Sequence, residues 1–174
     1  ITDFLPSNAI LVSDTGFASV WAGTMVYLTH PDQLSIRSAG SLGWAFPASL
    51  GAKCGDPKRP VLCFTGDGGF WYHLTELETA SRRNIKTITV VNNNSCFKQC
   101  MRGVNRAYGD DSGSRGDMYQ FRDTDFAKIA QDMGCFGIRV EHPEELSKAL
   151  KKALEADVAA DRKSTRLTPV TLES

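Results

Sequence analysis

The sequence lacks an excess of charge of either sign, and it lacks a long apolar run. Its 174 residues include 20 Lys and Arg and 20 Asp and Glu, so the formal net charge is zero at pH 7. Nucleic acids and anionic membranes attract proteins with a basic excess, so neither is expected as a main partner. No segment approaches about 18 uninterrupted apolar residues, so no membrane-spanning helix is predicted.

Paired cysteines and clustered histidines are missing as well. His30, His73 and His142 are scattered along the chain, so the ligand spacing typical of a zinc site is absent. The cysteine count is odd, no CxxC spacing occurs and no signal peptide is visible. We therefore expect reduced thiols and a cytoplasmic location. The cysteines are Cys54, Cys63, Cys96, Cys100 and Cys135.

Length and composition fit one globular domain. With 41% apolar and 23% charged residues, the chain is long enough and apolar enough to bury a core. Residues 1–174 are thus predicted to form a single domain. Because the chain begins at Ile1 rather than Met, we expect it to be part of a longer polypeptide, or the ordered part of one.

Short apolar or β-branched runs alternate with helical patterns. Strands are predicted over residues 9–12, 60–64, 87–91, 136–140 and 169–172. Helices are predicted over residues 70–83, 126–133 and 143–156. Asn84 and Gly134 are the expected stops of the first two helices, and residues 103–123, rich in Gly, Asp, Ser and Arg, are expected to form a long loop. The alternation predicts an α/β fold, an open and mainly parallel sheet with helices on both faces.

Polar residues follow three of the predicted strands. Asp14-Thr15-Gly16, Gly66-Asp67-Gly68 and Asn93-Asn94 stand where these strands end. Ligands of open α/β sheets bind at the carboxyl ends of the strands. The Gly68 and Gly69 N–H groups, at a helix N-terminus, suit a phosphate. Asp67 would repel that phosphate unless a cation bridges the two groups.

Magnesium is the cation that these residue types favour. It prefers oxygen ligands and is commonly shared between one or two side chains and the phosphates of a ligand. An Asn carbonyl from the neighbouring strand end supplies a second ligand. A Gly-Asp-Gly stretch alone is a common turn and three asparagines alone are a polar loop, so the prediction depends on their combination. We interpret the pattern as a site for a diphosphate held through Mg²⁺.

The same residues resemble a known family. Gly66-Asp67-Gly68, followed by 24 residues and then Asn93-Asn94, resembles the signature of thiamine diphosphate-dependent enzymes. The resemblance extends to residues 38–53, "SAGSLGWAFPASLGAK", and to residues 12–21, "VSDTGFASVW". Both stretches are similar to segments of the acetolactate synthase and 2-oxo-acid decarboxylase group. The match covers nearly the whole chain, but only the C-terminal, diphosphate-binding domain of a family whose usual polypeptide has three domains.

The resemblance implies a role for each matching position. The side chains of Asp67 and Asn94 and the backbone carbonyl of Cys96 would bind Mg²⁺. The Gly40 carbonyl would accept a hydrogen bond from the aminopyrimidine, and Leu42 would support the V-shaped conformation of the cofactor. The full set of implied cofactor-binding residues is Gly16, Phe17, Gly40, Ser41, Leu42, Gly66, Gly68, Gly69 and Phe97.

A glutamate that the family uses to activate the cofactor is missing. In the family it lies on a pyrimidine-binding domain, normally that of a neighbouring subunit. Glu76 and Glu78 fall in the helix after Gly69, which is the wrong place. The resemblance therefore implies a partner domain on the same or another chain, an oligomer, and no activity for this chain alone.

The implied reaction is the decarboxylation of a 2-oxo acid with carboligation, as in acetolactate synthase. Simple decarboxylation to an aldehyde and a non-catalytic cofactor-binding subunit remain as alternatives. A nucleotide-binding domain is disfavoured, because neither G-x-x-x-x-G-K-[ST] nor G-x-G-x-x-G occurs. His73 could act as an acid or base, although a packed helical histidine is the simpler interpretation. Lys98, Gln99 and Arg102 follow the predicted metal loop and could face substrate.

Overall fold

One parallel sheet organises the chain. The computed structural model describes residues 1–109, 115–159 and 168–173. The six strands lie in the order β2-β1-β3-β4-β6-β5, and every neighbouring pair is parallel. The predicted open parallel sheet is thus confirmed. The strands are β1 (Ile10–Ser13), β2 (Leu34–Arg37), β3 (Val61–Gly66), β4 (Ile88–Asn93), β5 (Ile138–Val140) and β6 (Thr168–Glu173).

Seven α-helices connect and cover the strands in the described part of the chain. None of them is long and apolar enough to cross a membrane. Two short 3-10 helices, Thr2–Phe4 and Arg115–Met118, complete the regular structure. The α-helices are α1 (Phe17–Met25), α2 (Ala45–Gly55), α3 (Asp67–His73), α4 (Glu76–Arg83), α5 (Lys98–Tyr108), α6 (Phe126–Asp132) and α7 (Pro143–Ala159).

Each face of the sheet has its own apolar core. Along β1, Ile10 and Val12 pack into the cluster that holds Phe70 of α3. Leu11, between them, packs into the other cluster with Leu150 of α7. Successive side chains of a strand point to opposite faces, so this alternation places helices on both sides of β1. The continuous apolar runs in the sequence have this cause, because β1, β3 and β4 are buried on both faces.

The predicted helix over residues 70–83 is wrong in one respect, because the structure divides it into α3 and α4. The division falls at Leu74 and Thr75. Each of their carbonyls accepts a hydrogen bond from the N–H three residues later, whereas an α-helix uses the N–H four residues later. The distances are 3.1 Å to the N–H of Leu77 and 3.0 Å to that of Glu78. These shorter turns change the direction of the chain. Asn84 ends α4 with a φ of 52°, as the sequence predicted.

The predicted long loop over residues 103–123 is also wrong in its first part. Helix α5 continues through Tyr108, and Arg115–Met118 is a 3-10 helix, while residues 110–114 lie outside the described residues. Met101 and Val104, at helical spacing, are the half-buried positions of α5. The helix has no fully buried residue. Its apolar pattern is therefore weak, and the Gly and Arg residues in it favour the interpretation as a loop.

Candidate functional site

Three neighbouring strands bring their polar ends to one edge of the sheet. β1, β3 and β4 are adjacent, with Ser13 opposite Phe64 and Gly66 opposite Asn92. A pocket of about 560 Å³, including its open mouth, lies at this edge. Its walls are Thr15, Gly16, Phe17, Ala18, Leu42, Gly66, Asp67, Gly68, Gly69, Asn92, Asn94, Cys96, Phe97, Lys98, Gln99 and Cys100.

Asp67 and Asn94 place side-chain oxygens beside the same backbone N–H group at this pocket. Asp67 is the first residue of α3, and its side chain is 3% exposed. Its Oδ2 accepts a hydrogen bond from the backbone N–H of Cys96 at 2.9 Å, and Oδ1 of Asn94 accepts from the same N–H at 3.3 Å. Two side-chain oxygens from different strand ends thus lie within hydrogen-bond distance of one nitrogen.

The environment of Asp67 opposes its charge in part. Burial raises the pKa of the Asp67 carboxyl, and the backbone N–H groups of Gly68 and Cys96 act in the opposite direction. A buried carboxylate that is only partly compensated by hydrogen bonds is a favourable position for a cation. Among the described residues no three His, Cys, Asp or Glu side chains come together as a metal site. An ion at Asp67 would therefore need amide or backbone oxygens as well.

The loop that follows β4 is held in a strained conformation. Ser95 has a φ of 52°, in the left-handed region that non-glycine residues seldom adopt. Asn93 stabilises it, because its Oδ1 accepts from the Ser95 N–H at 3.1 Å and its Nδ2 donates to the Thr124 carbonyl at 3.1 Å. Asn93 is thus a structural residue that faces the protein, while Asn94 faces the pocket.

A second segment holds this loop from the opposite side. The N–H of Phe97 donates to the Tyr119 carbonyl, and the N–H of Phe121 donates to the Ser95 carbonyl, both at 2.7 Å. The rings of Phe97 and Phe121 lie 4.6 Å apart in an edge-to-face contact. The position of the loop is therefore fixed by backbone and aromatic contacts as well as by Asp67.

Glycines let the backbone of α3 approach its neighbours closely. A Cβ on Gly68 would lie 2.5 Å from the ring of Phe97, and a Cβ on Gly69 would contact the carboxylate of Asp14 and lie 2.9 Å from the hydroxyl of Thr65. No side chain larger than hydrogen fits at either position without movement. The packing of Phe97, Asp14 and Thr65 against the first turn of α3 therefore requires glycine at both positions.

Asp14 is the residue that sequence reasoning missed in this region. It directly follows β1 and is 1% exposed, and it accepts hydrogen bonds from the Thr65 hydroxyl at 2.8 Å and from the backbone N–H groups of Thr15 and Gly43. Burial raises its pKa, while these hydrogen bonds lower it. The contact to Gly43 holds the loop that carries Leu42. In the sequence, an aspartate before Thr-Gly gives only a turn signal.

Most of the predicted site residues line this same pocket. They are Gly16, Phe17, Leu42, Gly66, Asp67, Gly68, Gly69, Asn94, Cys96 and Phe97. Gly40 and Ser41 are not among the wall residues, although the Gly40 N–H donates to the Thr15 hydroxyl at 3.2 Å. His73 and Arg102 are not wall residues either. The wall residues absent from the predicted cofactor and metal set are Thr15, Ala18, Asn92, Lys98, Gln99 and Cys100, of which Lys98 and Gln99 were predicted only as residues that could face substrate.

Comparison with known proteins identifies the family. Residues 14–161 match the family described as "Thiamine pyrophosphate enzyme, C-terminal TPP binding domain". The acetolactate synthase large subunit of Haemophilus influenzae is 32% identical over 147 residues, which are 84% of this chain and 25% of that protein. The sulfoacetaldehyde acetyltransferase of Castellaniella defragrans is 30% identical over 169 residues, 92% of this chain and 26% of that protein. The chain thus spans about a quarter of the length of these relatives.

A solved structure has the same fold. It is the X-ray structure of a provisionally assigned thiamin diphosphate-dependent enzyme from Mycobacterium smegmatis. The TM-score is 0.74 at 24% identity, over 99% of this chain and 30% of that one. At this identity the structural similarity supports the fold alone. The family assignment rests on the sequence match. The chain belongs to the thiamine pyrophosphate enzyme family, in its C-terminal TPP-binding domain.

Proposed function

We propose that this chain binds thiamine diphosphate through Mg²⁺, as the diphosphate-binding domain of an enzyme that decarboxylates a 2-oxo acid. One observation carries the proposal: Asp67 Oδ2 and Asn94 Oδ1 lie 2.9 Å and 3.3 Å from a single N–H, that of Cys96. A carboxylate, an amide oxygen and a backbone carbonyl are the hard oxygen donors that Mg²⁺ takes. In this proposal the third ligand is the Cys96 carbonyl.

The glycine-lined wall supports the same assignment. Gly68 and Gly69 lie on the pocket wall in the first turn of α3, and Gly16 turns the chain at the end of β1 with a φ of 80°. Together with Gly66, Phe17 and Phe97 they would hold the diphosphate. Leu42 would support the cofactor from the loop that Asp14 fixes, with Gly40 and Ser41 contacting the pyrimidine end. When bound, thiamine diphosphate supplies an electron sink for cleavage beside a carbonyl group.

We assign carboligation to a second substrate as the outcome, on the names of the relatives. One relative is an acetolactate synthase subunit and another is an acetyltransferase, whose name implies transfer of a two-carbon group. Release of an aldehyde by simple decarboxylation is the second candidate, and a non-catalytic cofactor-binding subunit is the third. The residues that receive the second substrate decide between the first two.

The chain requires a partner domain in this proposal. Residues 1–174 form one domain of a longer enzyme, or one subunit of a split enzyme. A pyrimidine-binding domain on the same or another chain supplies the activating glutamate, and the site is completed in a homo- or hetero-oligomer. We also propose a cytoplasmic location, because the five cysteines, all within the described residues, form no disulfide and reducing compartments keep thiols in that state.

The experiment that tests the proposal is a titration of thiamine diphosphate into the purified protein, with Mg²⁺ and with EDTA, together with the mass of the protein from its source. Saturable binding that EDTA abolishes is the expected result. A mass near 60 kDa, roughly three domains, would indicate one chain of a complete enzyme, and a mass near that of this chain would indicate a split enzyme. Absence of Mg²⁺-dependent binding in the complete protein with its partner would overturn the proposal.

A further inference from the structure

Lys98 is the basic residue on the wall of the pocket. Of the wall residues that the structure describes, Asp67 is the one acidic residue and Lys98 the one basic residue. Lys98 is the first residue of α5, and its backbone N–H donates to the Cys96 carbonyl at 2.9 Å. The side chain therefore starts directly beside the loop that carries Asn94 and Cys96.

The local charge around the diphosphate in the proposed complex favours another cation. A diphosphate ester carries several negative charges near pH 7, and Asp67 adds one more. One Mg²⁺ ion neutralises only two of these charges. Helix N–H groups contribute partial charge only, so a net negative charge remains in a partly enclosed pocket, where uncompensated charge is costly.

The ammonium group of Lys98 is available to compensate it. No carboxylate in the described ranges forms an ion pair with Lys98. Its position near the metal loop is also seen in its effect on Cys96. Burial and the charge of Asp67 raise the pKa of the Cys96 thiol, and the charge of Lys98 acts in the opposite direction.

We propose that the Lys98 ammonium binds the diphosphate of the cofactor as a second cation beside Mg²⁺. This inference rests on the proposed function, and it adds a side-chain contact from α5 to the site formed by α3 and the strand ends. Lysine acts as a mobile point charge toward phosphate and needs no fixed fork geometry, so an exposed position at the edge of the pocket suits it.

A neighbouring cavity defines the competing role of Lys98. Lys98, Asn94 and Cys96 also line this second cavity, with Met101 and Phe121 among the other wall residues. A carboxylate of the substrate bound there could be the partner of Lys98 instead. The two roles differ in which ligand loses affinity when the charge is removed.

The test is a comparison of Lys98→Met with Arg102→Met in the complete protein. Both residues are exposed cations on α5, one turn apart, but only Lys98 lines the pocket. We expect Lys98→Met to raise the Kd of thiamine diphosphate about 5- to 20-fold at saturating Mg²⁺. Arg102→Met should change it less than about 2-fold, and Lys98→Arg should restore most of the loss. Competition by inorganic diphosphate with Mg²⁺ should weaken in Lys98→Met by the same factor as cofactor binding.

Three results would overturn the inference. Equal Kd values for the Lys98→Met variant and the wild type would exclude the contact while the proposed function stands. A rise in the KM of the 2-oxo acid with an unchanged cofactor Kd would assign Lys98 to the substrate. Failure of the wild-type protein to bind the cofactor with Mg²⁺ would overturn the proposed function and this inference with it. Thermal unfolding of each variant checks that the fold is kept.

Discussion

Both oxygens of the Asp14 carboxylate accept a hydrogen bond from the backbone N–H of Gly43, at 3.0 Å and 3.1 Å. The two residues are 29 positions apart in the sequence. Gly43 has a φ of 91°, and a Cβ at this position would lie 2.7 Å from Cβ of Tyr72. The Leu42 loop is thus held between a buried carboxylate and helix α3, so Asp14 is a positioning residue for the pocket.

The pH dependence of stability should report on Asp14. Burial raises its pKa above the ordinary value of 3.8, so its charged form costs free energy in the folded state. The favourable contribution is complete below 3.8 and is lost as the pH rises through the raised pKa. We expect the wild type to gain stability relative to Asp14→Asn as the pH falls from neutrality toward 4, measured by urea unfolding of both proteins. A difference that stays constant or shrinks on acidification contradicts this assignment.

Removal of the Asp67 carboxylate should abolish Mg²⁺-dependent cofactor binding. Asp67→Ala takes away the proposed charged ligand, so thiamine diphosphate should no longer bind more tightly with Mg²⁺ than with EDTA. His73→Ala is the control, because His73 lies at the end of the same helix but outside the pocket wall, and its Kd should stay within several-fold of the wild type. Retained Mg²⁺-dependent binding by Asp67→Ala, in isothermal titration, would exclude the metal assignment.

Gly69→Ala should destabilise the fold by about 1–3 kcal/mol, because an added methyl group meets the Asp14 carboxylate and the Thr65 hydroxyl. Gly51→Ala is the matched exchange in α2, where nothing lies within 4 Å of the added Cβ. It should leave stability unchanged or raise it by up to about 1 kcal/mol. Urea unfolding measures both variants, and equal effects would show that Gly69 is not sterically constrained.

Thiol labelling should divide the cysteines by position. Cys54 and Cys100 are exposed and should react first with a thiol reagent, while Cys63 and Cys135 are buried and should react only on unfolding. Burial also raises the pKa of the Cys63 thiol, which lowers its reactivity further. Bound thiamine diphosphate and Mg²⁺ should slow the labelling of Cys100, a wall residue, and leave Cys54 unchanged, as mass spectrometry of peptides would show. Equal slowing at both positions would indicate a general change in the protein instead of local cover.

The strands that surround the site could be predicted, because each has a strong local signal. β3 and β4 are apolar runs buried on both faces, and such runs are visible in a sequence. β2 was not predicted. It is an edge strand whose residues Leu34–Arg37 are all exposed, and its apolar–polar alternation extends over only these four residues, so the local signal is weak. Its position depends on hydrogen bonds to β1, which are nonlocal.

The site residues that directly follow predicted strands could be predicted from the sequence. The spacing between Asp67 and Asn94 indicated that both would lie at one edge of the sheet, and their roles as ligands stay predictions. Asp14 could not be assigned in this way. Its partners Gly43 and Thr65 are 29 and 51 positions away, and no local pattern connects them. Lys98 could not be distinguished from Arg102 in the sequence, because only the structure shows which α5 side chains line the pocket.

The order of the strands has a consequence for co-translational folding. β6, the last of the described strands in chain order, lies between β4 and β5. In the described ranges β5 joins the sheet only through β6, so β5 is synthesised before the strand that it pairs with. β1, β3 and β4 can assemble during elongation. The edge formed by β6 and β5 can assemble only after β6 has left the exit tunnel. Until then the nascent chain exposes an unpaired β4 edge, which is the interval in which chaperones would be expected to act.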